Sequence, residues 1–191
     1  MFNIFDFTKD RPLSEFLNDE LNIFSIKCFE ENNLNLEIAT LIYEELKLRK
    51  STSSKKLLAD LLLNFASVNH EPIKWLKEAR VIVKSIKNVD HDSKYTNSVY
   101  TILRDGYSNE NKRYGVYVGQ TSKTIEERFN EHKSGIRSGR GLEKNAIQIL
   151  RSIWPHSNIK GSKSLYYETK LNLALTKVVP KVTGDINIDL L

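Results

Sequence analysis

The sequence predicts an α+β protein: an all-helical first half, then a smaller domain in which strands and helices mix. Three observations predict it. From Ser14 to about Asn88 the apolar residues recur at helical spacing. After Lys94 the pattern changes to short β-branched and aromatic runs. Between them the polar run Asn88-Val89-Asp90-His91-Asp92-Ser93-Lys94 has the composition of a linker, which sets a helical accessory region at 1–90 and a second domain at 91–191.

The elements follow in order. Leu34, Leu36, Ile38, Leu41, Ile42, Leu46 and Leu48 suit one helix, and Leu57, Leu58, Leu61, Leu62 and Phe65 suit another. Glu71-Pro72 opens a third stripe, Ile73, Trp75, Leu76, Ala79, Val83 and Ile86, with proline tolerated in the first turn. Asn97 to Arg104 and Tyr114 to Gly119 are strand-like, and the polar, glycine-containing Asp105 to Arg113 joins them as a long hairpin loop. Thr124 with Glu127 three residues on has the spacing of a capping box, so a helix starts there and ends at Gly135 and Gly139. Ala146 to Trp154 suits a short helix or a strand equally. Leu165 to about Val178 carries a helical stripe of Tyr167, Leu171, Ala174 and Val178 that stops before Pro180.

Composition excludes several classes. With 191 residues, 40% hydrophobic and 28% charged, the chain can bury a core. No window approaches the roughly 18 consecutive apolar residues of a membrane span, and the first residues lack a basic segment followed by an apolar run, so a cytoplasmic protein is expected. The lone Cys28 cannot form an internal disulfide or a Cys-rich metal centre. There is no GxxxxGK[ST], HExxH, GxSxG or CxxC, so the usual marks of nucleotide hydrolysis, zinc proteolysis, serine esterase chemistry and thiol redox are missing. His70, His91 and His156 are scattered and read as structural or surface residues.

Net charge is +5, and it is unevenly spread. Residues 1–45 are acidic, whereas the excess of lysine and arginine begins at Lys47 and runs to the end. A basic surface attracts polyanions, nucleic acid among them. Lys47, Arg49, Lys50, Lys55 and Lys56 either extend such a surface or order against the acidic N-terminal segment.

Arg128 and His132, four apart, lie on one helix face beside Ile125 and Phe129. A guanidinium and an imidazole at an apolar edge need a partner, and an anion would serve. Tyr100 and Tyr117 lie on the two hairpin strands and share a face in a suitable register, with Gly115 and Gly119 leaving room around Tyr117. Glu168 falls at the helical spacing of Leu171 and Leu175. Its ordinary reading is a partly exposed carboxylate bridged to Lys170 or Arg151; its functional reading is a buried carboxylate that needs a cation or donors.

Taken together, Ser98-Val99-Tyr100, Tyr117-Val118-Gly119, an arginine eleven residues after Tyr117, a histidine four further on and a glutamate in a late helix resemble the GIY-YIG nuclease superfamily over about Asn97 to Val178. Gly119-Gln120-Thr121-Ser122 leading into the helix of Arg128 and His132 strengthens the likeness. The chain departs from the pattern in having Ser-Val-Tyr rather than Gly-Ile-Tyr, a longer hairpin loop, and Asn187 as its late asparagine, farther along than usual.

The resemblance implies a three-stranded antiparallel sheet flanked by helices, with Ala146 to Trp154 as the third strand. It implies an endonuclease, dependent on Mg²⁺ or Mn²⁺, that hydrolyses phosphodiester bonds, with DNA the expected substrate. Glu168 would hold the ion and Arg128 would stabilise phosphate charge. Tyr100 would act as or position the general base, provided cations lower its pKa. His132 would take or relay its proton, and Tyr117 would hold the phosphate or the water network. Lys112, Arg113, Lys123, Lys133, Arg137 and Arg140 are candidates for contacts to flanking phosphates. The N-terminal helices would serve targeting, substrate binding or homo-oligomerisation. The competing readings are an inactive nucleic-acid-binding or partner-binding module on the same fold, and a nuclease acting on RNA or structured DNA.

Overall fold

The structure, a computed structural model, describes residues 4–31, 33–87, 89, 92–106, 113–136, 138–139, 141–154 and 156–190. The chain divides into two compact units, Met1–Leu76 and Lys77–Leu191. Of the expected linker, Asn88, Asp90 and His91 lie outside the described residues.

The first unit is helical, with α1 at Asn18–Lys27, α2 at Leu36–Leu48 and α3 at Thr52–Ser67. Side chains that are poor in helix interiors start α2 and α3. Asn35 accepts from the Ile38 amide at 3.0 Å, and Ser51 accepts from the Ser54 amide at 3.1 Å, each replacing a hydrogen bond the first turn lacks. Of the expected stripe, Leu36, Ile38, Leu41, Ile42 and Leu46 are in the core, whereas Leu34 precedes α2 and Leu48 ends it, and both are exposed. Burying each of the core side chains contributes about 1.5–3 kcal/mol. Glu45 is also buried and receives Arg11 at 2.8 Å and Arg49 at 2.8 Å, so its charge is compensated from both sides. Arg49 further donates to Asn18 Oδ1 and the Leu13 carbonyl, and part of the expected basic cluster is thereby used internally.

The third helical stripe is shorter than its spacing suggests. Ile73 is held by a hydrogen bond from its amide to Thr40 Oγ1 at 3.0 Å, which takes that N–H out of a helix. The helix, α4, spans only Leu76–Val83. Among the described residues no helix is long and apolar enough to cross a membrane.

The second unit carries one sheet. Strands β1, Ser98–Arg104, and β2, Gly115–Thr121, form the expected hairpin, paired antiparallel from Ser98↔Thr121 to Arg104↔Gly115. The ambiguous segment resolves into strand β3 at Ala146–Ile149, antiparallel to β1. It follows the one-turn helix α6, Leu142–Asn145, and α5 precedes it at Ile125–Lys133. The helix α7 spans Gly161–Leu175 and packs along β1 and β2.

The expected three-stranded antiparallel sheet needs correction. A fourth strand, β4 at Val182–Thr183, pairs parallel to β2, giving a mixed sheet of order β3-β1-β2-β4. Two residues cannot display a period of two, which is why the sequence does not reveal this strand. It is fixed instead by the ladder, including Val116 N–H to the Lys181 carbonyl at 2.9 Å.

Candidate active site

Sheet register builds the site. Tyr100 stands opposite Gly119 and Ile102 opposite Tyr117, so both tyrosines project from the same face, diagonal to one another. Their ring centroids are 6.2 Å apart, and Ile102, Leu142 and Ala146 pack beneath them. Gly119 makes that diagonal possible. A Cβ there would lie 2.7 Å from the Tyr100 hydroxyl oxygen and 2.7 Å from Tyr117 Cε1. Gly119→Ala is therefore expected to destabilise the protein by about 1–3 kcal/mol and to displace one phenol. Chemical unfolding and the NMR signals of the two tyrosine rings would check this, and rings left in place would show that the face has more slack than these contacts imply.

The helix α5 brings in the polar partners. Its capping box forms as spaced: Glu127 N–H donates to Thr124 Oγ1 at 3.2 Å and Thr124 N–H donates to Glu127 Oε2 at 3.0 Å. One helical turn then separates Arg128 from His132. His132 is fully buried and meets the Tyr100 hydroxyl through Nε2 at 2.8 Å. The Gly139 amide donates to its other nitrogen, Nδ1, at 3.3 Å. A neutral imidazole that accepts at Nδ1 carries its proton on Nε2, so His132 donates to Tyr100 in this arrangement. Burial first, and the Arg128 charge second, push the His132 pKa down to about 4. The ring is neutral at pH 7.

Arg128 is 17% exposed and ion-paired to Glu131 at 2.9 Å. It also reaches the Tyr100 phenol and acts on Tyr117. Burial works against its charge, but Glu131 and the phenols outweigh that, and its pKa is raised. Burial pushes the Tyr100 pKa up, Tyr117 adds to it, and Arg128 only partly offsets both. The cations of the chain alone therefore leave Tyr100 a neutral phenol. Burial, followed by the charge of Glu168, likewise raises Tyr117.

Glu168 is 3% exposed on α7, and among the described residues it makes neither of the bridges named as its ordinary reading. Arg151 instead pairs with Glu126, and Lys170 sits over the Tyr166 ring at 4.6 Å. Burial and then Asp185 push the Glu168 pKa up to about 8, with no donor or cation to counter them. A buried carboxylate beside a second one suits a hard divalent ion completed by water and phosphate oxygens. Among the described residues no group of three or more His, Cys, Asp or Glu side chains could hold a metal. Any ion here would depend on few protein ligands.

The structure thus brings Tyr100, Tyr117, Arg128, His132 and Glu168 to one region. The flanking cations are differently placed. Arg113 is paired to Asp105 at 2.9 Å, Lys123 is paired to Glu131, and Lys133 donates to the Ala146 carbonyl at 3.0 Å. Lys112, Arg137 and Arg140 lie outside the described residues. The Asn187 amide is bonded to Thr169 on α7 at 3.1 Å, while its side chain accepts from the Asp189 amide at 3.2 Å. That side chain closes the local turn. Sequence reasoning missed Glu131, whose only signal is an acidic residue three after Arg128, and Gly139, which reads merely as a helix stop.

No curated protein and no solved structure matches the chain. Residues 97–174, in the C-terminal half of the chain, match the family model of the GIY-YIG catalytic domain.

Proposed function

We propose that the protein is a divalent-metal-dependent endonuclease acting on DNA, with Tyr100, Tyr117, Arg128, His132 and Glu168 as its catalytic set. The observation that carries this reading is Glu168: a buried carboxylate without a donor among the described residues, acting on Tyr117 across from the Tyr100–His132 hydrogen bond. The family match gives the reaction class, since nucleic acid is the substrate of a nuclease.

Phosphodiester hydrolysis needs an aimed and deprotonated water, stabilisation of charge on the pentacoordinate phosphorus, and neutralisation of the leaving oxygen. Arg128, with its fork of donors oriented by Glu131, binds the non-bridging phosphate oxygens. Tyr100 receives the His132 Nε2 proton and the Arg128 guanidinium on one oxygen, two donors that favour its phenolate. Having first released its own proton to bulk water, the phenolate takes the proton of the attacking water. His132 serves as a donor in this scheme, and the relay expected from sequence has no acceptor at Nδ1, which Gly139 occupies. Tyr117, between Glu168 and Tyr100, orients the water or the phosphate. Glu168 would hold Mg²⁺ or Mn²⁺, which would supply Lewis-acid stabilisation of the phosphate and lower the phenol and water pKa values nearby.

One such site cuts one strand, so a double-strand break requires two copies or two successive nicks. The helical region at 1–90 is the accessory element in this proposal, serving targeting, substrate binding or self-association. The test is cleavage of supercoiled plasmid, linear duplex, single-stranded DNA and RNA with Mg²⁺, Mn²⁺ or EDTA. Metal-dependent nicking of DNA is expected. Cleavage of RNA alone would replace the substrate, and binding without cleavage under every condition would favour an inactive module.

A further inference from the structure

We propose that Asp185 is a second carboxylate ligand of the divalent ion at Glu168, so that the ion is held between α7 and the segment that follows β4. The proposal rests on the reading of Glu168 as a metal ligand and adds a residue to it.

The chain path places Asp185 there. Strand β4 sets Thr183 opposite Tyr117 in parallel pairing. Gly184 then turns the chain with φ +139, and a Cβ at that position would fall directly on the Val118 carbonyl and 3.0 Å from Asn172 Nδ2. Only glycine permits this approach at this φ. Three residues later the Asn187 amide is bonded to Thr169 Oγ1. Gly184 therefore touches α7 at Asn172, one turn after Glu168, and Asn187 touches it at Thr169, the residue next to Glu168. Asp185 lies between these two anchors.

Its chemistry suits the place. The Asp185 charge is within electrostatic reach of both Glu168 and Tyr117. Asp185 is exposed, and among the described residues no cation or donor engages it. Glu168 is nine-tenths buried and equally unpartnered among the described residues. Two neighbouring carboxylates repel unless a cation lies between them. A buried carboxylate with an exposed one at its mouth gives a hard ion two oxygen ligands from the protein, leaving open positions for water and phosphate.

Binding of Mn²⁺ to the full chain, without nucleic acid, tests this directly through the electron paramagnetic resonance of the free ion. Wild type is compared with Asp185→Asn, Glu168→Gln and, as a control for loss of negative charge nearby, Asp189→Asn. Asp185→Asn is expected to weaken Mn²⁺ at least tenfold, with Asp189→Asn unchanged. Circular dichroism matching wild type confirms that the exposed substitution leaves the fold intact. Wild-type affinity in Asp185→Asn alongside lost binding in Glu168→Gln would overturn the role of Asp185 and leave Glu168 as the ligand. Equal weakening by Asp185→Asn and Asp189→Asn would overturn it too, as a general charge effect. A wild-type chain that binds no Mn²⁺ would overturn both assignments.

Discussion

Glu168→Gln is expected to abolish cleavage, by about a thousandfold or more, and at the same time to raise the stability of the metal-free protein at neutral and alkaline pH. The two effects share one cause. Burial and Asp185 lift the Glu168 pKa to about 8, above the ordinary carboxylate value of 4.5. Between those values the unfolded chain releases its proton and the folded chain keeps it. A group with a raised folded-state pKa stabilises the fold while protonated, and that contribution is lost as pH climbs through about 8. Glutamine keeps the size and removes the ionisation, so the variant escapes the loss. The gap is expected to open above pH 5 and to reach on the order of 2–4 kcal/mol by pH 8. Thermal unfolding across that range, in EDTA, measures it. Added Mg²⁺ at a hundred times its Kd is then expected to restore about 2.7 kcal/mol to wild type and nothing to the variant. A variant as active as wild type, or one whose Tm curve parallels it at every pH, would remove Glu168 from the site.

The parts of the fold that local residues set were legible in the sequence. The stripe of α2, the Thr124–Glu127 capping box and the β-branched and aromatic runs of the two hairpin strands are all signals carried by neighbouring residues of one segment. The sheet face shared by Tyr100 and Tyr117 was legible only as a condition, because register depends on the pairing of strands and not on either strand alone. The fourth strand was illegible: two residues have no period, and the parallel partner lies more than sixty positions away. In the site, residue types at fixed helical spacing pointed to Arg128 and His132. What the sequence hid is what backbone groups do. The Gly139 amide on His132 Nδ1 decides which way the imidazole hydrogen bond runs, and a glycine reads along a chain as a helix stop. Asp185 was hidden for the same reason, since a left-handed turn at Gly184 brings it back onto α7.

Arg128→Ala is expected to lower the rate of cleavage by about two to four orders of magnitude while leaving DNA affinity within severalfold of wild type. The separation of rate from binding follows from where the guanidinium is committed. Arg128 is mostly buried, it spans the Tyr100 phenol and Glu131, and it has little surface for general attraction of DNA. Its charge matters most when a phosphate beside it gains a further negative charge, a demand that exists in the transition state and not in the bound ground state. Lysine keeps the charge and loses the fork, so Arg128→Lys is expected to recover only a small part of the rate. Glu131→Gln separates orientation from charge. Glu131 holds both Arg128 and Lys123. Its loss frees two cations, so DNA binding should tighten slightly at low salt while the rate falls severalfold through a less fixed guanidinium. Single-turnover cleavage and equilibrium binding, measured on the same three variants, distinguish the two contributions. If Arg128→Ala weakens binding as much as it slows cleavage, the residue contacts DNA uniformly and has no special claim on the transition state.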